Sequence, residues 1–199
     1  EFFYDLCDFC KDYYPDLPSN RNGFTQEDLN QITCLFLNRT NENTKSYFEN
    51  VTSLDELQYF NNLKIIPSWC FFNCEELKSV IFPKNLEILE MFSFGYCISL
   101  EELDFPENLI DIELDAFFKC FSLKKIIFPE NLKEIGRKSF YYCQSLEEVI
   151  IPKNIEKIEY AAFGGCSFLK EIIIPEKFKN RIESIFDNVN LTKVNITYI

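Results

Sequence analysis

Apolar residues return along this chain every 23 residues. Phe48, Phe71, Phe94, Phe117, Phe140, Phe163 and Phe186 form one such column, and Cys74, Cys97, Cys120, Cys143 and Cys166 form another. Between them one phrase repeats: Phe82-Pro-Lys-Asn-Leu, Phe105-Pro-Glu-Asn-Leu, Phe128-Pro-Glu-Asn-Leu and Ile151-Pro-Lys-Asn-Ile, with a new start at Ile174-Pro-Glu. A fixed period of this length marks a solenoid, in which each unit buries its apolar side only by stacking on the next.

Residues 100–120 show how one coil is built. Leu100, Leu103 and Phe105 follow the L-x-x-L-x-L spacing, and the latter two face inward from a short strand. Pro106 has no N–H and ends the pairing. Asn108 stands at the turn, where its side chain is expected to satisfy backbone groups inside its own coil. Leu109, Ile112 and Phe117 return along the opposite wall, and Cys120 closes the coil. Parallel strands joined this way predict right-handed coils.

The two ends depart from the period. Phe2, Leu6, Phe9 and Tyr13 make a helical stripe that stops before Pro15. Residues 15–23 are rich in Pro, Asn and Gly and read as a loop. Thr25 with Asp28 is a capping-box start for a short helix to Gln31. Residues 1–31 are therefore expected to form a helical N-terminal cap, and 32–199 the solenoid. A strand is predicted at Ile32–Leu37. Residues 38–58 read as an irregular coil, with register returning at Phe48, Val51, Leu54 and Leu57. Coils are regular over 59–173 and degenerate over 174–199. There Lys177, Arg181 and Val189 replace column Asn, Ile and Cys, and the last strand is expected one residue early.

The outward positions of the strands form their own columns. One reads Asp55, Lys78, Glu101, Lys124, Glu147, Lys170, with the sign alternating at every coil. Opposite charges adjacent across strands contribute about 0.2–1 kcal/mol each, so this column is read as a register device. A second reads Leu35, Gln58, Ile81, Asp104, Ile127, Ile150, Ile173, Asn195. Apolar residues facing water in a row mark an interaction site. The candidate ligand strip is therefore Ile81, Asp104, Ile127, Ile150 and Ile173, rimmed by Lys125, Glu148 and Glu171. The rival explanation is that β-branched residues simply favour strands.

Composition narrows the function. The chain has 199 residues, 22 Phe and a net charge of -12. Such acidity argues against nucleic acid or an anionic membrane as partner. The absence of histidine removes His-dependent triads and His-ligated metals. No apolar run is long enough to span a membrane. Residues 1–15 are broken by Asp5, Asp8, Lys11 and Asp12 and do not make a signal peptide, and a start at Glu1 suggests a mature or truncated form.

Other candidate motifs are weak. Cys7-Asp-Phe-Cys10 lacks a second ligand pair and an electropositive setting, so it carries neither zinc nor redox chemistry. Its rival reading is a thiol enzyme. Asn20, Asn22, Gly23 and Glu27 echo a calcium loop, but Pro18 and Leu29 fall at ligand positions. Sequons at Asn38, Asn50, Asn190 and Asn195 matter only in a glycosylating host. Column cysteines lie within disulfide reach, about 4.8 Å apart, yet stacked buried thiols are the expected state. No catalytic residue, metal or cofactor is expected.

The repeated pattern L-x-x-L-x-F-P-x-N-L-x-x-I-x-x-x-x-F-x-x-C-x-S-L over about 46–196 resembles the BspA-type leucine-rich repeat, the 23-residue treponemal class. The segment before it resembles the cap that precedes such repeats in anaerobic gut bacteria. The resemblance implies an α/β leucine-rich-repeat solenoid with a parallel sheet on one face, short strands and turns opposite, and a small helical N-terminal cap. It also implies a secreted or cell-surface protein without catalytic activity. Such a protein binds a protein or glycan partner through the concave sheet, with a homodimer through the same strip as one option. The alternative is an architectural spacer.

Overall fold

The computed structural model describes residues 25–32, 35 and 50–199. The stripe at 2–13, Cys7 and Cys10, the loop at 15–23, most of the strand at 32–37, the 38–46 loop and Phe48 lie outside the described residues. Helix α1 (Gln26–Gln31) begins at Thr25 with the expected capping box. The Thr25 N–H donates to Asp28 Oδ2 at 2.8 Å, and the Asp28 N–H donates to Thr25 Oγ1 at 3.2 Å. Leu29 and Ile32 are buried. Asn61 and Asn62 side chains tie the helix to the first regular coil by donating to Asn30 Oδ1 and to its carbonyl.

Each coil has three sides. The first wall holds β1 (Ser53–Leu54), β3 (Ser79–Val80), β5 (Glu102–Asp104), β7 (Lys125–Ile127), β9 (Glu148–Ile150), β11 (Glu171–Ile174) and β12 (Asn195–Tyr198). It is divided into three parallel ladders, β1–β3, β5–β7 and β9–β11–β12. The opposite wall is the continuous one. There β2 (Ile65–Ile66), β4 (Ile88–Leu89), β6 (Asp111–Ile112), β8 (Glu134–Ile135) and β10 (Lys157–Ile158) form a single five-stranded parallel sheet. The ends are capped by α1 and by a 3-10 turn at Glu176–Arg181 leading into α2 (Ile182–Ile185).

The third side is made of turns. The N–H groups of Trp69, Phe71 and Asn73 donate to the carbonyls of Met91, Ser93 and Gly95 in the next coil. Cys70, Phe72 and Cys74 close local turns back to Pro67, Trp69 and Phe71. This zigzag needs left-handed backbone twice per coil: Trp69, Phe92, Asp115, Lys138 and Ala161 have φ of 54–65°, and so do Asn73, Tyr96, Lys119 and Tyr142 at 60–62°.

The core is two columns of phenylalanine. Centroids in the first column are 5.0 Å apart for Phe71–Phe94, 5.3 Å for Phe94–Phe117, and 5.2 Å for both Phe117–Phe140 and Phe140–Phe163. Phe82, Phe105 and Phe128 stack in a second column and meet the first edge-on, as Phe105 does Phe117 at 5.7 Å. Cys97, Cys120, Cys143 and Cys166 are buried thiols. Four column thiols reach a backbone carbonyl of the preceding coil: Cys97 to Phe71, Cys120 to Phe94, Cys143 to Phe117 and Cys166 to Phe140, at 3.2–3.4 Å. Burial pushes these thiols well above the ordinary range.

Several sequence expectations are corrected here. The turn asparagines satisfy the preceding coil, not their own. Asn85 donates to the Asn61 carbonyl, Asn108 to Lys84 and Asn131 to Glu107, because the neighbour's backbone lies within reach of a side chain at the corner. Lys177, in the degenerate coil, reaches back to the Ile155 carbonyl. The first strand pairs Leu54 with Val80 rather than Leu57, since residues Asp55–Tyr59 form a 3-10 turn that takes up three extra residues. At the other end Ile196 pairs with Ile172, so the last strand runs one residue late, not early.

Phe117→Ala removes a fully buried ring that touches both columns. It is expected to cost about 3–5 kcal/mol by chemical denaturation, and a near-neutral value contradicts the interior assignment. Cys97, Cys120 and Cys143 are expected to resist alkylation in the native protein and to react fully once it is unfolded, with mass spectrometry as the readout.

Two half-enclosed carboxyls set a pH dependence. Asp115 is raised to about 6 by burial, which Lys138 and Arg137 only partly oppose, and its Oδ1 has no hydrogen-bond partner. Asp111 is raised to about 6 by burial and then by Glu134 and Glu113. Between the ordinary 3.8 and about 6 the folded state holds more protons than the unfolded state, so stability falls as pH rises through that window. Asp115→Asn suits the left-handed backbone and removes the buried charge. It is expected to raise the unfolding midpoint at pH 7 and to flatten its decline between pH 4 and 6.

Candidate functional site

The strands of the first wall alternate inward and outward, and their outward residues make the candidate strip. Leu103, Ile126, Val149 and Ile172 are buried between them. Asp104 lies directly opposite Ile127, and Ile150 opposite Ile173. Ile127 and Ile150 keep 45% and 46% of their surface exposed. Ile173 is half-buried, flanked on its far side by Thr197. Ile81 is equally exposed at 45%, but Asp104 separates it from the other isoleucines. The apolar strip is therefore Ile127–Ile150–Ile173, with Ile81 standing apart.

The adjacent outward column supplies the rim. Lys125 faces Glu102 across β5–β7. Glu148 faces Glu171 across β9–β11, two like charges side by side. This edge of the strip is basic at one coil and doubly acidic over the next two. Like charges directly opposite each other oppose pairing, so this arrangement does nothing for the sheet.

The alternating charge column is only partly a register device. Lys124 bridges Glu101 at 2.8 Å and Lys170 bridges Glu147 at 2.7 Å. Backbone joints at these two coils are tight, with Lys124 N to Glu101 O and Lys170 N to Glu147 O both at 2.8 Å. At Glu101–Lys78 and Glu147–Lys124 the same joint opens to 3.4 and 3.5 Å. The charges thus pair two by two. Asp55 leaves the column: after the register shift it accepts from the Ser79 hydroxyl.

The register also revises the ends of the apolar column. Gln58 sits in the 3-10 turn and donates to the Asp55 carbonyl. Leu35, counted as outward, is fully buried. Thr197, not Asn195, follows Ile173.

Two features escape the sequence reading. One is a strip of half-buried rings on the turn wall: Trp69, Phe72, Phe92, Tyr96, Phe118 and Tyr141. Aromatics flanking the core Phe column at a fixed step are the signal, but among 22 phenylalanines they merge with the interior. The other is a shallow cleft beside the C-terminal cap, lined by Arg137, Lys157, Glu159, Tyr160 and Arg181. Lys157 is held there by Glu134 and Glu159.

No helix among the described residues is long and apolar enough to cross a membrane. No curated protein matches the chain. Among solved structures it is similar to a leucine-rich-repeat protein of T. pallidum, at 25% identity and a TM-score of 0.61, over 69% of this chain and 64% of that one. It also resembles a leucine-rich-repeat protein of Bacteroides ovatus, at 20% identity and a TM-score of 0.51, over 72% of this chain and 45% of that one. The chain thus spans less than two thirds of either. The sequence profile described as BspA type Leucine rich repeat region matches six copies, over residues 20–147 and 87–198. Proteins built this way are generally binding or adhesion modules rather than enzymes, and are often surface-associated. With the repeat profile covering most of its length, the chain belongs to the BspA-type leucine-rich-repeat family.

Proposed function

We propose that this protein is a non-catalytic adhesion or recognition module, secreted or attached at a cell surface, that binds a protein or glycan partner through the outer face of its first wall. The observation that carries this reading is the row of exposed Ile127 and Ile150 with half-buried Ile173, standing where the fold has no need of isoleucine. A strand is served equally by threonine. An apolar centre edged by Lys125, Glu148 and Glu171 is the arrangement of an interface core with a polar rim. Asp104 closes the strip at one end, and β12 covers it at the other.

The spacer reading draws on a different observation, the Glu101–Lys124 and Glu147–Lys170 bridges that cover part of the same wall. Exposed pairs of this kind contribute roughly 0–1 kcal/mol, so they neither demand nor forbid a ligand.

Capture from host and bacterial surface extracts on the intact chain identifies the partner, and a titration then measures it. Combined Ile127→Thr, Ile150→Thr and Ile173→Thr are expected to keep the unfolding transition and to weaken that partner at least tenfold, which is about 1.4 kcal/mol. If the strip is a contact between two copies, the same variant turns a dimer into a monomer by light scattering. Unchanged binding and unchanged oligomeric state in the folded triple variant leave the spacer reading.

A further inference from the structure

The turn wall carries a second surface, on a different side of the coil from the isoleucine strip. Trp69 stacks on Phe92 at 4.3 Å. Phe72 meets Tyr96 edge-on at 5.4 Å, and Tyr96 meets Phe118 at 5.4 Å. Phe118 stacks on Tyr141 at 6.0 Å, and Tyr142 packs against Tyr141 at 4.4 Å. The rings run without a gap along the solenoid axis, and all are half-buried.

The backbone beneath argues that these side chains are kept for what they present. Trp69, Phe92, Tyr96 and Tyr142 sit at φ of 55–65°. Bulky residues are disfavoured in that region, which Gly and Asn enter at little cost. Beyond Tyr142 the same two columns carry small residues or asparagine, Ala161, Gly165 and Asn188, while within the strip they also hold Asn73, Asp115, Lys119 and Lys138. The last two rings lie flat on glycine. A Cβ on Gly164 would fall 2.6 Å from the Tyr141 ring, and one on Gly165 2.6 Å from Tyr142. Strain held at a surface that rigid neighbours over-determine is a pointer to function.

The charges on the strip select its partner. Lys119 Nζ stands 4.9 Å over the Tyr96 ring and 5.2 Å over Phe118, and donates to Tyr96 Oη. Lys138 Nζ stands 5.1 Å over Tyr141. Neither lysine forms a salt bridge among the described residues, but Lys138 is near the Asp115 carboxylate and Asp187 lies near Tyr141, so Lys119 is the cation of the strip with no carboxylate beside it among the described residues. Lys119, laid over the Tyr96 and Phe118 rings, makes the centre of the strip cationic on a chain of net charge -12, and that stretch complements an anionic segment. From Phe92 to Tyr142 the rings are half-buried along the surface of the turn wall. The strip crosses four coils about 4.8 Å apart, a length that four or five extended residues span at about 3.3 Å each. We propose that the aromatic strip from Trp69 to Tyr142 is a docking track for an extended acidic segment of a partner protein. The segment's aromatic or proline side chains lie on the rings, and its carboxylates meet Lys119 and Lys138.

Fluorescence anisotropy on the intact chain tests this with a labelled peptide that alternates glutamate with tyrosine and proline. Two control peptides carry lysine for glutamate or serine for tyrosine and proline. The acidic aromatic peptide is expected to bind at least tenfold tighter than either control. Lys119→Glu with Lys138→Glu is expected to weaken it at least tenfold. Phe92→Asn with Tyr96→Asn is expected to abolish binding while the unfolding midpoint stays level or rises, because Asn relieves the left-handed positions. The threonine triple variant on the other wall is expected to bind the peptide normally, which separates this track from that strip. Equal affinity for the three peptides, no measurable binding, or binding that survives the lysine reversal overturns the proposal. So does a collapsed midpoint in the asparagine pair, which makes the rings structural cover. Binding of a neutral oligosaccharide in place of the peptide, or a dimer lost with the same substitutions, reassigns the strip and overturns it equally.

Discussion

Everything in this molecule rests on one geometric constraint: each coil must set its phenylalanine on the phenylalanine of the coil before it. A single coil has at most two short strands and no face it can bury alone. The stack supplies that burial, with centroids repeating at 5.0–5.3 Å from Phe71 to Phe186. From Phe71 to Phe163 the residue before each stacked ring is correspondingly small and fully enclosed: Cys70, Ser93, Ala116, Ser139 and Ala162. The Ser93 and Ser139 hydroxyls have no partner there. An unpaired buried hydroxyl costs about 1–3 kcal/mol. The site admits only a small side chain, and this space limit outweighs that penalty. The cysteine column answers the same limit differently, since the thiols of Cys97, Cys120, Cys143 and Cys166 find a carbonyl one coil back.

That constraint explains what could be read from the sequence and what could not. Residues tied to the stack, such as Leu103, Ile112, Phe117 and Cys120, are legible because the step of 23 repeats wherever stacking is enforced. Register fails where stacking gives way to a cap. The 3-10 turn at Asp55–Tyr59 stretches the step to 26 at Leu54 and Val80, and a step of 24 links Ile172 to Ile196. Neither change has a compositional mark; Gln58 looks like a column member by counting alone, and Asn195 enters the column only when the last strand is set one residue early. Asn108 looked local because a turn residue commonly serves its own turn, yet in a solenoid the neighbour's carbonyl is as near. The left-handed positions were invisible for a related reason: Trp69, Phe92 and Tyr96 are not residues that announce positive φ.

The candidate strip was legible in part. The outward row Ile127, Ile150 and Ile173 follows from strand alternation once the register is known. Its boundary does not, because Asp104 interrupts it and β12 shelters Ile173, and both depend on which strands pair. The charges beside it divide into two kinds. Glu101–Lys124 and Glu147–Lys170 are bridged and accompany short backbone joints. Glu148 and Glu171 face each other unrelieved. The first kind belongs to the wall; the second is tolerated only because both carboxylates remain in contact with water, where repulsion is screened.

A stacked core of this kind separates stability from surface. The inward columns set position and register, so an outward column can change character from one coil to the next at little cost. Within one column of the first wall the sequence passes from Asp104 to three isoleucines to Thr197, while Leu103, Ile126, Val149 and Ile172 beneath it stay uniformly apolar. On the turn wall the same freedom runs from Trp69 and Phe92 to Asp115, Lys138 and Ala161, over an unbroken line of stacked phenylalanines. The two walls differ in what that freedom costs. An outward strand position accepts nearly any side chain, so isoleucine there reflects only the surface it makes. A left-handed turn position penalises every bulky side chain, so each ring kept at one is opposed by its own backbone. The turn wall is where the chain accepts strain to hold aromatic groups in place, and rings held that way are the more selective record of what the surface touches.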